Sequence, residues 1–288
     1  MNKVIGAVLF ASFVFCSPGQ FAIAGDADTT AASQSLATEQ PKQNILKNFL
    51  EDEGDIWTSP FRMDWHDAAI VGGIAATTAI LIATDESVYR NFRTYHDNNA
   101  WVRSASPVAS QFGEFYVPFG IAALYCVHGL TFHNEYNVDT GLMAAQAMIH
   151  SGIVIQVFKH LFGRSRPFVK NGQDRWFGPS AFFRRYTDGG FSPYDSFPSG
   201  HTITAFSLAT VIAERSDDWW VDGLAYSLAG LCGLSRLTEN DHWLSDVAVG
   251  ATMGIAIGKL VVNNHKQRLE LSPVIGARSA GLSIRFNY

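Results

Sequence analysis

The chain has 288 residues, a formal net charge of -5 and a pI near 6.0, so it carries no basic footprint for nucleic acid. Its length suits one domain with a sizeable core. A hydrophobic content of 47% with a mean hydropathy of +0.05 is rich for a soluble protein and low for a chain built wholly of membrane spans.

At the N-terminus, Lys3 precedes an apolar run from Val4 to Phe15, and Ala22-Ile23-Ala24 before Gly25 fits a small-x-small cleavage site. Residues 1–24 are therefore expected to be a signal peptide and the mature protein to be exported. Residues 25–64 read as a flexible Ala-, Ser-, Thr-, Asp- and Gln-rich leader followed by a short amphipathic segment from Ile45 to Leu50. Between Trp57 and Trp65 aromatic and polar residues mix around Pro60, which suits either packing on the domain or a membrane surface. Both readings stay open. With the signal removed, Cys126 and Cys232 remain, each inside an apolar segment, and are expected as buried free thiols.

Six apolar segments of helical length follow, over 68–83, 116–130, 142–158, 202–213, 221–234 and 245–262. They predict an all-α, six-helix fold with long loops at 84–115 and 164–197. Gly72 and Gly73 in the first segment, and Gly250, Gly254 and Gly258 in the last, are expected to admit close helix approach, because a helix-interior glycine costs about 0.5–1 kcal/mol relative to alanine. The second loop is aromatic: Phe168, Trp176, Phe177, Phe182, Phe183, Tyr186, Phe191 and Tyr194. It either packs on itself or walls a leaving-group pocket. The tail, 264–288, ends in a strand-like alternation of Leu282, Ile284 and Phe286; a lone strand argues against an outer-membrane barrel, which needs many.

Three motifs carry chemistry. Lys159 stands near the end of the third segment, with six residues between it and Arg166-Pro167 in the loop; Pro198-Ser199-Gly200-His201 opens the fourth segment; Ser235-Arg236 leads on to His242 and Asp246. Arg166 and Arg236 offer planar forks matched to phosphate, and Lys159 adds a point charge. Gly200 lets the backbone approach an anion at a helix N-terminus. His201 is placed to protonate a departing oxygen. His242 and Asp246, four apart, share a helix face, where a carboxylate accepting from one imidazole nitrogen leaves the other to attack phosphorus. Arg164 and His160 receive no role. No metal-ligand spacing accompanies the set, so no cofactor or divalent ion is expected.

The pattern K-x6-R-P, P-S-G-H, S-R-x5-H-x3-D resembles the signature of the type 2 phosphatidic acid phosphatase (PAP2) superfamily, which includes lipid phosphatases, class A acid phosphatases and vanadium haloperoxidases. The resemblance covers 65–263 and implies a PAP2-type helical bundle. It implies a metal-independent phosphatase of lipid phosphates or small phosphomonoesters acting through a phosphohistidine. In that scheme His242 is the nucleophile, Asp246 orients it and His201 is acid, then base. Lys159, Arg166, Ser199, Gly200 and Arg236 hold the phosphoryl oxygens. The alternatives are a vanadium-dependent haloperoxidase and a non-catalytic lipid-binding protein.

The longest apolar segment, about 17 residues, spans about 25 Å at 1.5 Å per residue against about 30 Å of hydrocarbon. An exported N-terminus followed by six spans would also place all three motif-bearing loops in the cytoplasm. Both points favour a periplasmic bundle that folds without lipid and touches a membrane surface through the aromatic loop.

Overall fold

The computed structural model describes residues 45–169, 173–181, 193–270, 273–276 and 279–282. Among them are eight α-helices: α1 (Ile45–Thr58), α2 (Trp65–Asn98), α3 (Ala100–Ser110), α4 (Tyr116–Phe132), α5 (Glu135–Phe162), α6 (Gly200–Arg215), α7 (Trp219–Thr238) and α8 (Leu244–Glu270). A short antiparallel hairpin, β1 (Pro273–Gly276) with β2 (Ser279–Leu282), follows. Among the described residues the protein is all-α apart from this hairpin. The signal peptide, the leader to residue 44, most aromatics of 182–192 and the alternating end beyond Leu282 lie outside the described residues.

Each of the six apolar segments falls inside a helix, but the helices outrun them. The expected loop at 84–115 is mostly helical: α2 continues to Asn98 and α3 follows. The apolar run stops at Asp85 because polarity changes, not because the helix does. No Gly or Pro lies between 84 and 98 to break it. This overturns the argument from segment length. The helices Trp65–Asn98, Glu135–Phe162 and Leu244–Arg268 are long and apolar enough to cross a membrane, and the bent pair Ala100–Gly113 and Tyr116–Phe132 is a further candidate.

The core sits between α4, α5, α6 and α8, around Ala144, Ala147, Ile155, Ile203, Val211 and Val261. Here the glycine expectation divides. A Cβ on Gly254 would lie 2.6 Å from the Ile203 carbonyl, and one on Gly250 2.8 Å from that of Ser199, so the glycines let the backbones of α6 and α8 approach closely. Gly72 and Gly73 have nothing within 4 Å, so close approach is not their role. Cys232 is buried, Cys126 half-buried, and neither is bridged.

The chain direction decides where the motifs meet. α5 and α7 end, and α6 and α8 begin, at one end of the bundle. Two helix N-termini there favour negative charge, while Lys159 and Arg236 sit in the last turns of the other two helices.

Candidate active site

α5 stops at Gly163, whose φ of 54° is the left-handed region open to glycine; a side chain there would strike the Gly178 carbonyl. The helix thus ends three residues before Arg166-Pro167. The freed chain runs extended, with Ser165 N–H donating to the Arg175 carbonyl at 2.8 Å and Arg166 N–H to the Pro193 carbonyl at 2.9 Å. This anchoring aims Arg166 back at the bundle end. Its Nε donates to Asp195 Oδ1 at 2.9 Å, and Lys159 Nζ lies 3.4 Å from the other oxygen of the same carboxylate.

Ser199 caps α6 in extended backbone, its hydroxyl accepting from Thr202 N–H at 3.4 Å. Gly200 faces Lys159: a Cβ on it would lie 3.7 Å from Nζ. His201 Nε2 is 2.8 Å from Glu114 Oε1 and 3.4 Å from Arg236 NH1. Arg236 is buried and pairs with Glu239 and, at 3.2 Å, with Asp241; Asp241 also lies 3.7 Å from Arg166. The buried Nε of Arg236 has no hydrogen-bond partner among the described residues. An orphan charged donor at a cationic site suits a tetrahedral anion.

His242 departs from the expected arrangement in one detail. Its Nδ1 lies 2.7 Å from the Ser196 carbonyl and 3.7 Å from Asp246 Oδ2, so the carbonyl and not the carboxylate takes the hydrogen bond. A carbonyl only accepts. Nδ1 therefore carries the proton and Nε2 presents its lone pair. Asp246 acts one step removed: it accepts from Ser196 Oγ at 2.5 Å, from Trp243 N–H at 2.9 Å and from Arg164 NH1 at 2.5 Å.

Arg164, given no role by the sequence, is the centre of this support. It is fully buried, donates to Asp85 Oδ2 at 2.7 Å, to Asp174 at 2.9 and 2.7 Å and to Ser245 Oγ at 2.6 Å, and stacks between Trp176 and Trp243 at 4.6 and 5.2 Å. Burial alone would depress its pKa, yet Asp246, Asp174 and Asp85 outweigh that and raise it. Arg164 thereby ties α2, the loop and α8 into one buried ion network.

Electrostatics separate the two histidines from ordinary ones. Burial first, then the charges of Arg166 and Lys159, hold His242 well below its usual 6.5. Burial and Arg236 lower His201 as well, against an opposing pull from Glu114. The eight sequence-derived residues Lys159, Arg166, Ser199, Gly200, His201, Arg236, His242 and Asp246 thus converge at one bundle end. The supporting Glu114, Arg164, Asp195, Ser196 and Asp241 were not singled out. Asp195-Ser196 stand one residue before the Pro198-Ser199-Gly200-His201 motif, Asp241 directly precedes His242, and Asp85 is an ionisable residue closing an apolar run, a signal in its own right.

Among the described residues one exposed group, Asp64, His66 and Asp67, brings three metal-type ligand atoms together. It lies at the start of α2, and Asp64 serves there as helix cap, accepting from Asp67 N–H at 2.8 Å.

The sequence profile of the PAP2 superfamily matches residues 140–270, which include all eight site residues. A lipid A 1-phosphatase of Porphyromonas gingivalis is 41% identical over 85 residues, 29% of this chain and 19% of that protein. An acid phosphatase of Zymomonas mobilis is 32% identical over 95 residues, 33% of each. The chain thus spans between a fifth and a third of the length of these curated relatives. The first transmembrane PAP2 type phosphatidylglycerolphosphate phosphatase from Bacillus subtilis superposes with a TM-score of 0.50 at 18% identity, covering 77% of this chain and 94% of that one. It shares the all-α fold. The Aquifex aeolicus LpxE structure aligns with a TM-score of 0.46 at 21% identity over 62% of this chain and 93% of that one.

Proposed function

On the premise that residues 140–270 form a PAP2 superfamily domain, we propose that the chain is a membrane-associated phosphatase that cleaves lipid phosphates or small phosphomonoesters without a divalent ion. The observation that carries this reading is the tautomer of His242: with Nδ1 committed to the Ser196 carbonyl, Nε2 is a neutral nucleophile beside three cations.

In the first step the Nε2–P bond forms as the ester P–O bond breaks, and His201 protonates the departing oxygen. In the second, His201 takes a proton from water, whose oxygen attacks phosphorus and releases phosphate and His242. Lys159, Arg166 and Arg236 balance the charge on the non-bridging oxygens, joined by first-turn amides of α6 at Gly200. Asp246, through Ser196, holds the carbonyl that holds His242. The carboxylates Asp195, Asp241 and Glu239 keep the cations in place between turnovers.

α2, α5 and α8 are read as membrane spans, in place of the lipid-independent periplasmic bundle that segment length suggested. Lipid phosphates are the favoured substrates, in keeping with the lipid A 1-phosphatase relative. Export of the leader stays part of the proposal, and a spanning α2 then carries the catalytic end to the face opposite residue 65. Phosphate release from a panel of lipid phosphates and small phosphomonoesters, with and without EDTA, tests the reading. Release unaffected by EDTA is expected. Activity lost in EDTA and restored by magnesium or zinc would refute metal independence, and peroxide-dependent halide oxidation with vanadate in place of phosphate release would favour the haloperoxidase alternative.

A further inference from the structure

The stretch from Trp57 to Trp65 plays no part in phosphate chemistry, and it does not pack on the domain. Phe61 is 89% exposed and Trp65 82%. α1 beside it is docked through two carboxylates, with Phe49 and Ile56 packed next to them. Asp52, fully buried, accepts from Arg268 at 2.5 Å, from Asn264 at 2.7 Å and from Gln146. Glu53 lies 2.5 Å from the buried His150, on which Phe49 stacks at 4.3 Å. Ile45, Leu46 and Leu50 point outward instead, each more than 60% exposed. A helix that buries carboxylates and shows leucines has the polarity of one lying against lipid, not water.

Its position fits. Twenty positions separate Trp65 from Asp85 of the site network, about 30 Å of helix and the thickness of a hydrocarbon core. The most apolar window of α2, where Ile80 is 66% exposed, holds no buried residue. Trp219 and Trp220, 84% and 54% exposed, open α7 about 25 Å before Arg236, at the same remove from the site. Phe115 and Tyr116 are exposed beside Glu114 at the catalytic end. Two sets of exposed aromatics about 25–30 Å apart have the spacing of membrane interface belts. Four outward charges of the segment pair off, Lys47 with Glu51 and Arg62 with Asp55, and the exposed Asp64 caps α2, so residues 45–65 offer no cluster of like charge to an acidic or basic protein.

We propose that residues 45–65 are an interfacial segment, seated in the bilayer leaflet opposite the catalytic end. The outer face of α1 with Trp57, Phe61 and Trp65 contacts zwitterionic lipid there, and Asp52 and Glu53 pin the segment to α5 and α8. The proposal rests on the reading of α2 as a span. The test is to replace Phe61, and separately Ile80, with p-benzoylphenylalanine in the full chain and to photolyse each in phosphatidylcholine vesicles. Adduct masses are then read by mass spectrometry. Lipid adducts at both positions are expected. A lipid adduct at position 80 with none at 61 overturns the proposal and leaves the span reading standing. Cross-linking of position 61 to a second copy or another protein overturns it in favour of that occupant. No lipid adduct at position 80 removes the span, and the proposal with it.

Discussion

Arg164 and Asp246 form a buried pair, NH1 to Oδ1 at 2.5 Å, with neither side chain exposed. The carboxylate expected to serve the nucleophile is thus held first by an arginine, which is shared with Asp85 and Asp174. Removing Arg164 would leave three carboxylates facing one another in a dry interior. Arg164→Ala is predicted to cost about 3–5 kcal/mol of stability, the size of a broken buried ion pair. Arg164→Lys keeps the charge and loses the fork, so it should fold and lose kcat with little change in KM. Thermal unfolding and steady-state kinetics on the two variants check this; a stable Ala variant would show that the network is not structural.

Because the Ser196 carbonyl sets the His242 tautomer, Asp246→Asn should not scramble it. The predicted loss in kcat is about 10–100-fold, well short of the about 10⁴-fold seen when an aspartate alone fixes a catalytic imidazole. Substrate affinity should be retained. A loss near 10⁴-fold would mean that Asp246 contacts the ring directly during turnover.

The lowered pKa values of both histidines give a signed pH profile. His242 must be neutral to attack and stays so well below pH 6.5, which puts the acid limb of kcat/KM below that value. His201 must be protonated to act as acid, and its proton leaves below its usual 6.5, so the alkaline limb also begins on the acid side. A free-enzyme optimum below pH 6.5 is expected. Bound phosphate ester, being anionic, should move the kcat profile to higher pH. Stability follows the same sign: a depressed histidine stabilises the fold above its unfolded pKa, so stability should fall as pH drops below 6.5. Glu114→Gln removes the group that raises His201 and should move the alkaline limb further down; an unmoved limb would mean that His201 is not the acid.

The two glycine sets should respond oppositely to alanine. Gly254→Ala forces a methyl to 2.6 Å from the Ile203 carbonyl and is predicted to destabilise by about 1–3 kcal/mol. Gly72→Ala meets open space and should stabilise by about 0.5–1 kcal/mol through helix propensity. Melting temperatures in detergent micelles decide it; equal effects would mean that α2 is packed as tightly as α8.

The apolar runs predicted six of the helices, because burial and helical length leave a mark in sequence. They did not predict how far α2 extends, since Asp85, Glu86 and Arg90 end the hydrophobic pattern without ending the hydrogen-bond ladder. The residues proposed to hold a phosphate were legible because that chemistry is fixed by residue type. Those that hold them were not: Arg164, Ser196 and Glu114 act across 82, 46 and 87 positions of chain on Asp246, His242 and His201, and only the fold brings each pair together. Polar identity alone did not distinguish Arg164 from a surface arginine.

The central claim is a covalent phosphohistidine on His242. Rapid acid-free quenching of the enzyme with a ³²P-labelled lipid phosphate, followed by alkaline peptide mapping, measures it directly. The account predicts base-stable, acid-labile label on the peptide carrying His242, absent from His242→Ala and accumulating in His201→Ala with an activated leaving group. Turnover by a folded His242→Ala protein, or label that resides on another residue, would contradict it.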